Sequence, residues 1–523
     1  MDTFLNLIKK SIFGIVFWGF ACAIGFLFLT SFIGSCYVDY QEKTYYKYDP
    51  FWLPIVSCVL FLLVIIGVMK KRRICNIGIN KIILKILTVG GDLTYMLVLL
   101  EIVIKLEIIP RADQAEINRI ARVMTQGDYS DFFSGGYMDK YPNQLGIVFL
   151  FYLMYKSVHK ITVPMYFINV LSVVVIMYAM GVIGKKITKK QMQKVCTIIV
   201  ALFFPLALYA TFVYGNLLGM AFSTVGIVYV LYFFEKHQMR YAIISIFFSV
   251  MAVVIKQNFI IPMIGIIVIL CLDYLQNKNK KSIIFILGLV LVSVIFSQGV
   301  KWQMRKITGS EINGGIPSVA WVVMGLQEGE LAPGWYNSYN VKVYEESGFD
   351  TKIAKKKASD KLKEELVKMA QNPMDALQFF IKKNMSQWSN PTFECFWINN
   401  DKIREGEHKE IKERGWLKSL TTEPGNNVLT IYLNIFQNLI YGGCVCWCIF
   451  SRKQKSLEEM IILTIFIGGF VFHTFWEAKC QYTMPYYVML FPIALKGITL
   501  FGNEIKQMQK SEVDYGKEKN KLD

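Results

Sequence analysis

Residues 11–34 read SIFGIVFWGFACAIGFLFLTSFIG, an apolar run without one charged side chain. A helix needs about 20 such residues to cross a ~30 Å hydrocarbon core. Inside a bilayer no water satisfies the backbone, so a helix is the natural form of the run. It is too long for a signal peptide and has no small-residue cleavage site, so it is expected to be retained. Working outward, similar runs recur at 51–69, 83–105, 161–183, 195–214, 217–234, 241–255, 259–275 and 283–298. Three more follow residue 427, the last at 484–501. The expected fold class is an all-α polytopic membrane protein.

Composition agrees: of 523 residues, 54% are hydrophobic and 18% charged. The net charge of +18 is gathered into short clusters between apolar runs, at 70–73, 185–194, 278–281 and 452–455. Positive clusters in those places mark cytoplasmic loops and favour anionic headgroups, so no nucleic-acid partner is implied. The 11 cysteines form no CxxC pair. Cys444, Cys446 and Cys448 fall inside an apolar run, where a thiol acts as a small apolar group.

Reading basic clusters as cytoplasmic gives a zigzag of about 12 or 13 spans. One segment, 145–155, breaks the parity and is short for a full crossing; it is either re-entrant or a sign that another assignment must change. No repeat and no pair of broken helices of the transporter kind is visible. The chain divides into an N-terminal transmembrane region, 1–299, with a first large outer loop at about 110–142. An extracytoplasmic domain at 300–426, C-terminal spans at 427–505 and a cytoplasmic tail at 506–523 follow. Within the domain, Ala358, Leu362, Leu366 and Met369 share one face of a helix expected over 352–370. Its aromatics Trp321, Trp335, Tyr336, Trp388, Phe393 and Trp397 read either as an interfacial site or as membrane anchors.

Three places could carry chemistry. In the first outer loop Ile117, Ile120, Ala121 and Met124 form one helical face, with Asp113 at the helix start and Glu116 three residues on. Asp113 is either the N-cap of a capping box or a carboxylate that takes a proton from a hydroxyl nucleophile. Asp128 and Asp131 are weaker candidates, because Gly127–Ser130 reads as a plain turn. At the second place, Lys256-Gln257-Asn258 interrupts an apolar stretch; the lysine either snorkels or faces a lipid phosphate. The third, His473 to Tyr486, sets Glu477 and Lys479 in a tight turn between two spans. They form either an ion pair closing a hairpin or a functional site, since ionisable groups beside hydrocarbon are costly. His159, His237, His408 and His473 show no ligand spacing, so no metal site is expected. There is no P-loop, GxSxG or Rossmann fingerprint, and no cofactor is called for.

Together these residues carry a likeness. Asp113 after Pro110, an amphipathic helix, then Tyr141-Pro142 opening the next apolar segment resembles the GT-C membrane glycosyltransferases of the protein O-mannosyltransferase and aminoarabinose transferase type. Lys256-Gln257-Asn258 and Trp476-Glu477-Ala478-Lys479-Cys480-Gln481-Tyr482 look like later landmarks of that class. Gly135-Gly136-Tyr137-Met138, Tyr141-Pro142-Asn143-Gln144, Gly334-Trp335-Tyr336-Asn337 and Gln387-Trp388-Ser389-Asn390 look like a branch common in Gram-positive bacteria. The resemblance spans roughly residues 100–490. It implies a sugar donor on a polyprenyl phosphate, an acceptor that is a glycan, lipid or protein, and a site on the extracytoplasmic face of the cell membrane. By the same resemblance Asp113 is the catalytic base, Lys256 the phosphate contact, and Tyr141, Glu477, Lys479, Gln481 and Tyr482 line the pocket. Many relatives have adjacent acidic residues where this chain has Asp113-Gln114, which removes a second carboxylate but not a single base.

Two other functions fit parts of the sequence. A transporter or flippase for lipid-linked glycans expects charges deep in the spans, and Asp92 and the Glu101/Lys105 pair supply some. A polysaccharide polymerase or ligase expects an arginine-rich late loop, whereas that region here is lysine-rich.

Overall fold

The computed structural model of the protein describes residues 2–39, 41–74, 81–106, 110–189, 192–399, 417, 425–451 and 456–519. The basic cluster 452–455, residues 190 and 191 and His408 lie outside the described residues. Seven helices are long and apolar enough to cross a membrane, or nine if each of two bent pairs is one span. Trp52–Gly67 and Met239–Ile255 are shorter apolar helices. The chain is an all-α polytopic membrane protein, with one two-stranded ribbon added.

Its helix bundle is stitched at the end where the basic clusters were expected to gather. Lys186 pairs with Glu235, and the Lys281 ammonium donates to the His237 carbonyl at 2.8 Å. These bonds bring Lys186, Glu235, His237 and Lys281 to one end, as a shared membrane side requires.

The segment that broke parity, Leu145–Ser157, is a 13-residue helix. At 1.5 Å per residue it rises roughly 20 Å, short of a hydrocarbon core. It buries Leu145, Ile147, Val148, Phe151 and Tyr152 and packs against the Asp113–Met124 helix.

Two spans expected to be continuous are broken. Gln193–Leu202 meets Phe204–Thr211 at 58°, and Cys480–Met489 meets Phe491–Ser511 at 45°. Pro205 and Pro492 follow the breaks, each lacking the N–H that would continue a helix. The two breaks meet: the Phe203 ring lies 5.6 Å from Phe491, 5.4 Å from Tyr487 and 5.8 Å from Phe436.

The helix beginning at Lys280 does not stop near 298 but runs to Thr308, closed by Gly309 in the left-handed conformation (φ 68°). Beyond it come short helices and then Thr351–Gln371 and Pro373–Trp388. Asp350 caps the first of these, its carboxylate accepting from the Lys352 and Ile353 amides at 2.7 and 3.0 Å. The expected apolar face of this helix is only half used: Ala354 and Ala358 are buried, while Leu366 is exposed. The small alanines let the helix approach Ser318–Gly325 closely, Ala354 and Ala358 sharing a buried cluster with Ala320. The aromatics divide as well. Trp335, Trp388 and Phe393 are core residues, with the Trp335 indole N–H donating to Ser386 at 2.8 Å; Tyr336 is exposed.

In the connection after the first span, Gly34–Val38 pairs antiparallel with Thr44–Tyr48. Asp39 makes the turn: its carboxylate accepts from the Gln41 and Lys43 amides at 2.8 and 2.9 Å. Glu42 sits at the tip with φ 64°.

Candidate functional site

The Asp113–Met124 helix buries Ile117, Ile120, Ala121 and Met124, the face the spacing required. Its N-terminus is not the capping box that is one of the two readings of Asp113. The capping position is Ala112, no side chain caps the helix, and Glu116 turns forward to Arg119 at 2.8 Å. Asp113 is therefore free of a capping duty. It is exposed, and its Oδ1 accepts the Tyr137 hydroxyl at 3.0 Å. Ala112 has φ 49° and ψ −138°, outside the regions an L-residue prefers. Such strain costs on the order of 1–3 kcal/mol and gathers at functional sites. The weaker candidates have structural jobs: Asp131 pairs with Arg119 at 2.7 Å, and Asp128 accepts the Ser130 amide at 2.9 Å.

Lys256 stands at the corner between Met239–Ile255 and Gln257–Phe259 with extended backbone. Its ammonium lies 4.0 Å from the Tyr214 ring centroid and 5.8 Å from that of Tyr482. Among the described residues no carboxylate pairs with it. Burial pushes the ammonium down to about 7, with Asp113 and Glu477 pulling the other way and Lys479 adding to the fall. A snorkelling lysine would sit in water; this one lies on an aromatic face, where a cation without an anion is held by the ring quadrupole. Tyr214 is fixed in turn by Gln144 from the first loop, whose amide donates to its hydroxyl.

The Glu477/Lys479 turn is not a self-contained ion pair. Lys479 pairs with Glu42 at the ribbon tip and lies 4.9 Å from the Trp397 centroid. Burial lowers its affinity for a proton, but Glu394 and Glu42 outweigh that and raise it. Glu394 is itself buried, in a left-handed conformation (φ 63°), and accepts the Cys480 thiol at 3.1 Å. Glu477 keeps no ion pair among the described residues. It is 6% exposed, and burial raises its carboxyl to about 8 against the pull of Lys479, with Asp113 adding to the rise.

Asp113, Lys256 and Glu477 thus come from three connections far apart in sequence and act on one another electrostatically. Tyr141 joins them through its ring, 4.8 Å from Tyr137 and 6.0 Å from Trp321. Trp321 lies parallel to Trp476 at 6.0 Å. Gln481, Tyr482 and Lys256 line a small cleft with Asn216 and Asn258. Tyr141, Lys256, Glu477, Lys479, Gln481 and Tyr482 are linked to this region together with Asp113, whereas Asp131 is taken by Arg119 and Asp128 by the Ser130 amide. Lys479 differs in role, since its partners are carboxylates of the protein itself.

Sequence reasoning missed Glu42, Tyr137, Tyr214, Asn216 and Glu394. Asn216 had a signal, a helix start after Gly215. Glu42 and Glu394 had none, because only the packing of distant segments brings them to Lys479.

A bundle of helices long and apolar enough to cross a bilayer defines a multi-span integral membrane protein. The chain belongs to the family "Conserved hypothetical integral membrane protein", which it matches over residues 5–496. No curated protein matches the chain. No solved structure matches it.

Proposed function

We propose that this protein is a membrane glycosyltransferase that moves a sugar from a polyprenyl-phosphate donor to an acceptor hydroxyl. Its site would face the outside of the cell membrane, in cell-wall or surface glycan assembly. The observation that carries this reading is that Lys256, which no carboxylate among the described residues pairs with, lines the cleft with its ammonium 4.0 Å from the Tyr214 ring and lies under the electrostatic pull of Asp113. Asp113 takes the proton of the acceptor hydroxyl as its oxygen bonds to the anomeric carbon. The bond from that carbon to the phosphate oxygen breaks, and the electron pair leaves with the lipid phosphate. Lys256 faces that phosphate and compensates its charge. Direct displacement inverts the anomeric centre. A single carboxylate suffices, because the phosphate needs no proton to leave. A lipid-borne donor also accounts for a site at the membrane boundary of a chain without a nucleotide fold.

One observation favours the transporter alternative: two broken helices meet, as in many carriers. Their junction, however, is filled by Phe203, Phe436, Tyr487 and Phe491, not by the polar groups a carried substrate needs. Asp92 receives the Tyr178 hydroxyl and Glu101 pairs with Lys105, so the span charges already have partners. The test is transfer of labelled sugar from polyprenyl-phosphate donors in membranes, wild type against Asp113→Asn. Transfer that needs Asp113 supports the enzyme; movement of donor between leaflets without transfer supports the transporter.

A further inference from the structure

The cleft beside Lys256 contains two side-chain amides whose oxygens have no hydrogen-bond partner among the described residues, Asn216 Oδ1 and Gln481 Oε1. Asn216 is 6% and Gln481 8% exposed. Leaving a buried acceptor unmatched costs about 1–3 kcal/mol, so two at one cleft are a standing expense for the fold. Neither is a helix cap. Asn216 opens the helix to Lys236 and Gln481 is the second residue of Cys480–Met489, and no side-chain cap bond is present in either.

The lining says what would match them. It has one cation, Lys256, no carboxylate, and the rings of Phe259, Tyr482 and Tyr486. A hydroxyl both donates and accepts, and a primary amide offers it both partners. A ring of hydroxyls satisfies the two amide oxygens. A uronate would set its own acceptor oxygens against them, and an amino sugar would bring a second cation beside Lys256. We propose that Asn216 and Gln481 read hydroxyls of the donor sugar, and that this sugar is neutral. The assignment rests on the transferase reading and deepens it by naming the sugar class.

The test uses the full-length protein in lipid nanodiscs with four probes: polyprenyl monophosphate alone, and the same lipid bearing a neutral hexose, a uronic acid or an amino sugar. The hexose-bearing lipid binds at least about tenfold tighter than the other three. Asn216→Leu and Gln481→Met each abolish most of that advantage and leave the affinity of the sugar-free lipid unchanged. Because each removes an unmatched acceptor, neither lowers Tm. The inference is overturned if the variants keep the hexose advantage, if a charged sugar is preferred, or if both variants melt earlier while binding is unaltered. Lys256→Met loses the sugar-free lipid as well. Should no lipid phosphate bind the wild type, the transferase reading falls together with the sugar assignment.

Discussion

Lys479 gives its charge to Glu42, a residue on the ribbon after the first span, and not to Glu477 two positions before it. That choice leaves Glu477 buried without an ion pair among the described residues, under the repulsion of Asp113, and ties the last turn to the start of the chain.

Lys479→Met leaves Glu42 and the buried Glu394 without their cation. Truncating one member of a buried charge group is strongly destabilising; with Glu42 partly exposed the expected loss is about 1–3 kcal/mol. Thermal unfolding in detergent should show a lower Tm, and adding Glu42→Gln should recover part of it. An unchanged Tm in the single variant would remove the cluster from the fold's support.

Glu477 makes stability depend on pH. Its carboxyl is raised to about 8 in the fold from an ordinary unfolded value near 4.3, so the folded state holds the extra proton between those values. The contribution is fully present below the unfolded value and is lost as pH rises through about 8. Glu477→Gln, which mimics the protonated form, should match the wild-type Tm near pH 4 and exceed it by a margin that grows up to about pH 8. Parallel curves for the two proteins would contradict this.

Lys256 carries the opposite sign. With its ammonium lowered to about 7, binding a phosphate requires a proton that the free protein increasingly lacks above that pH. Affinity for polyprenyl monophosphate should fall above pH 7, by up to about tenfold per unit. Lys256→Met should bind weakly at every pH, with no such slope.

How much of this was legible in the sequence follows from what each feature depends on. Apolar runs pointed to 12 or 13 spans because bilayer thickness sets their length; among the described residues seven helices are long and apolar enough, or nine with the bent pairs, and the runs at 51–69 and 241–255 form shorter apolar helices. Periodicity alone identified the buried face of the Asp113–Met124 helix. The break at Phe203 was missed although Pro205 marked it, since a run can stay apolar across a bend. The Asp113 capping box failed because spacing cannot tell a residue at the cap from one just after it; the strained Ala112 took that place. The pairing of Lys479 with Glu42 was beyond sequence reading, as it joins residues 437 positions apart.

Ala112 offers a separate check on the strain beside Asp113. Ala112→Gly accepts the positive φ without a Cβ clash and should raise stability by about 1 kcal/mol despite glycine's added unfolded-state entropy. A lower Tm would mean that the backbone there is unstrained.

The central claim is tested most directly by donor binding and sugar transfer measured together in wild type and Asp113→Asn. The account predicts donor affinity within about twofold of wild type and transfer reduced at least about 100-fold, the range a positioned general base supplies. Equal transfer by the two proteins, at equal expression, would contradict it.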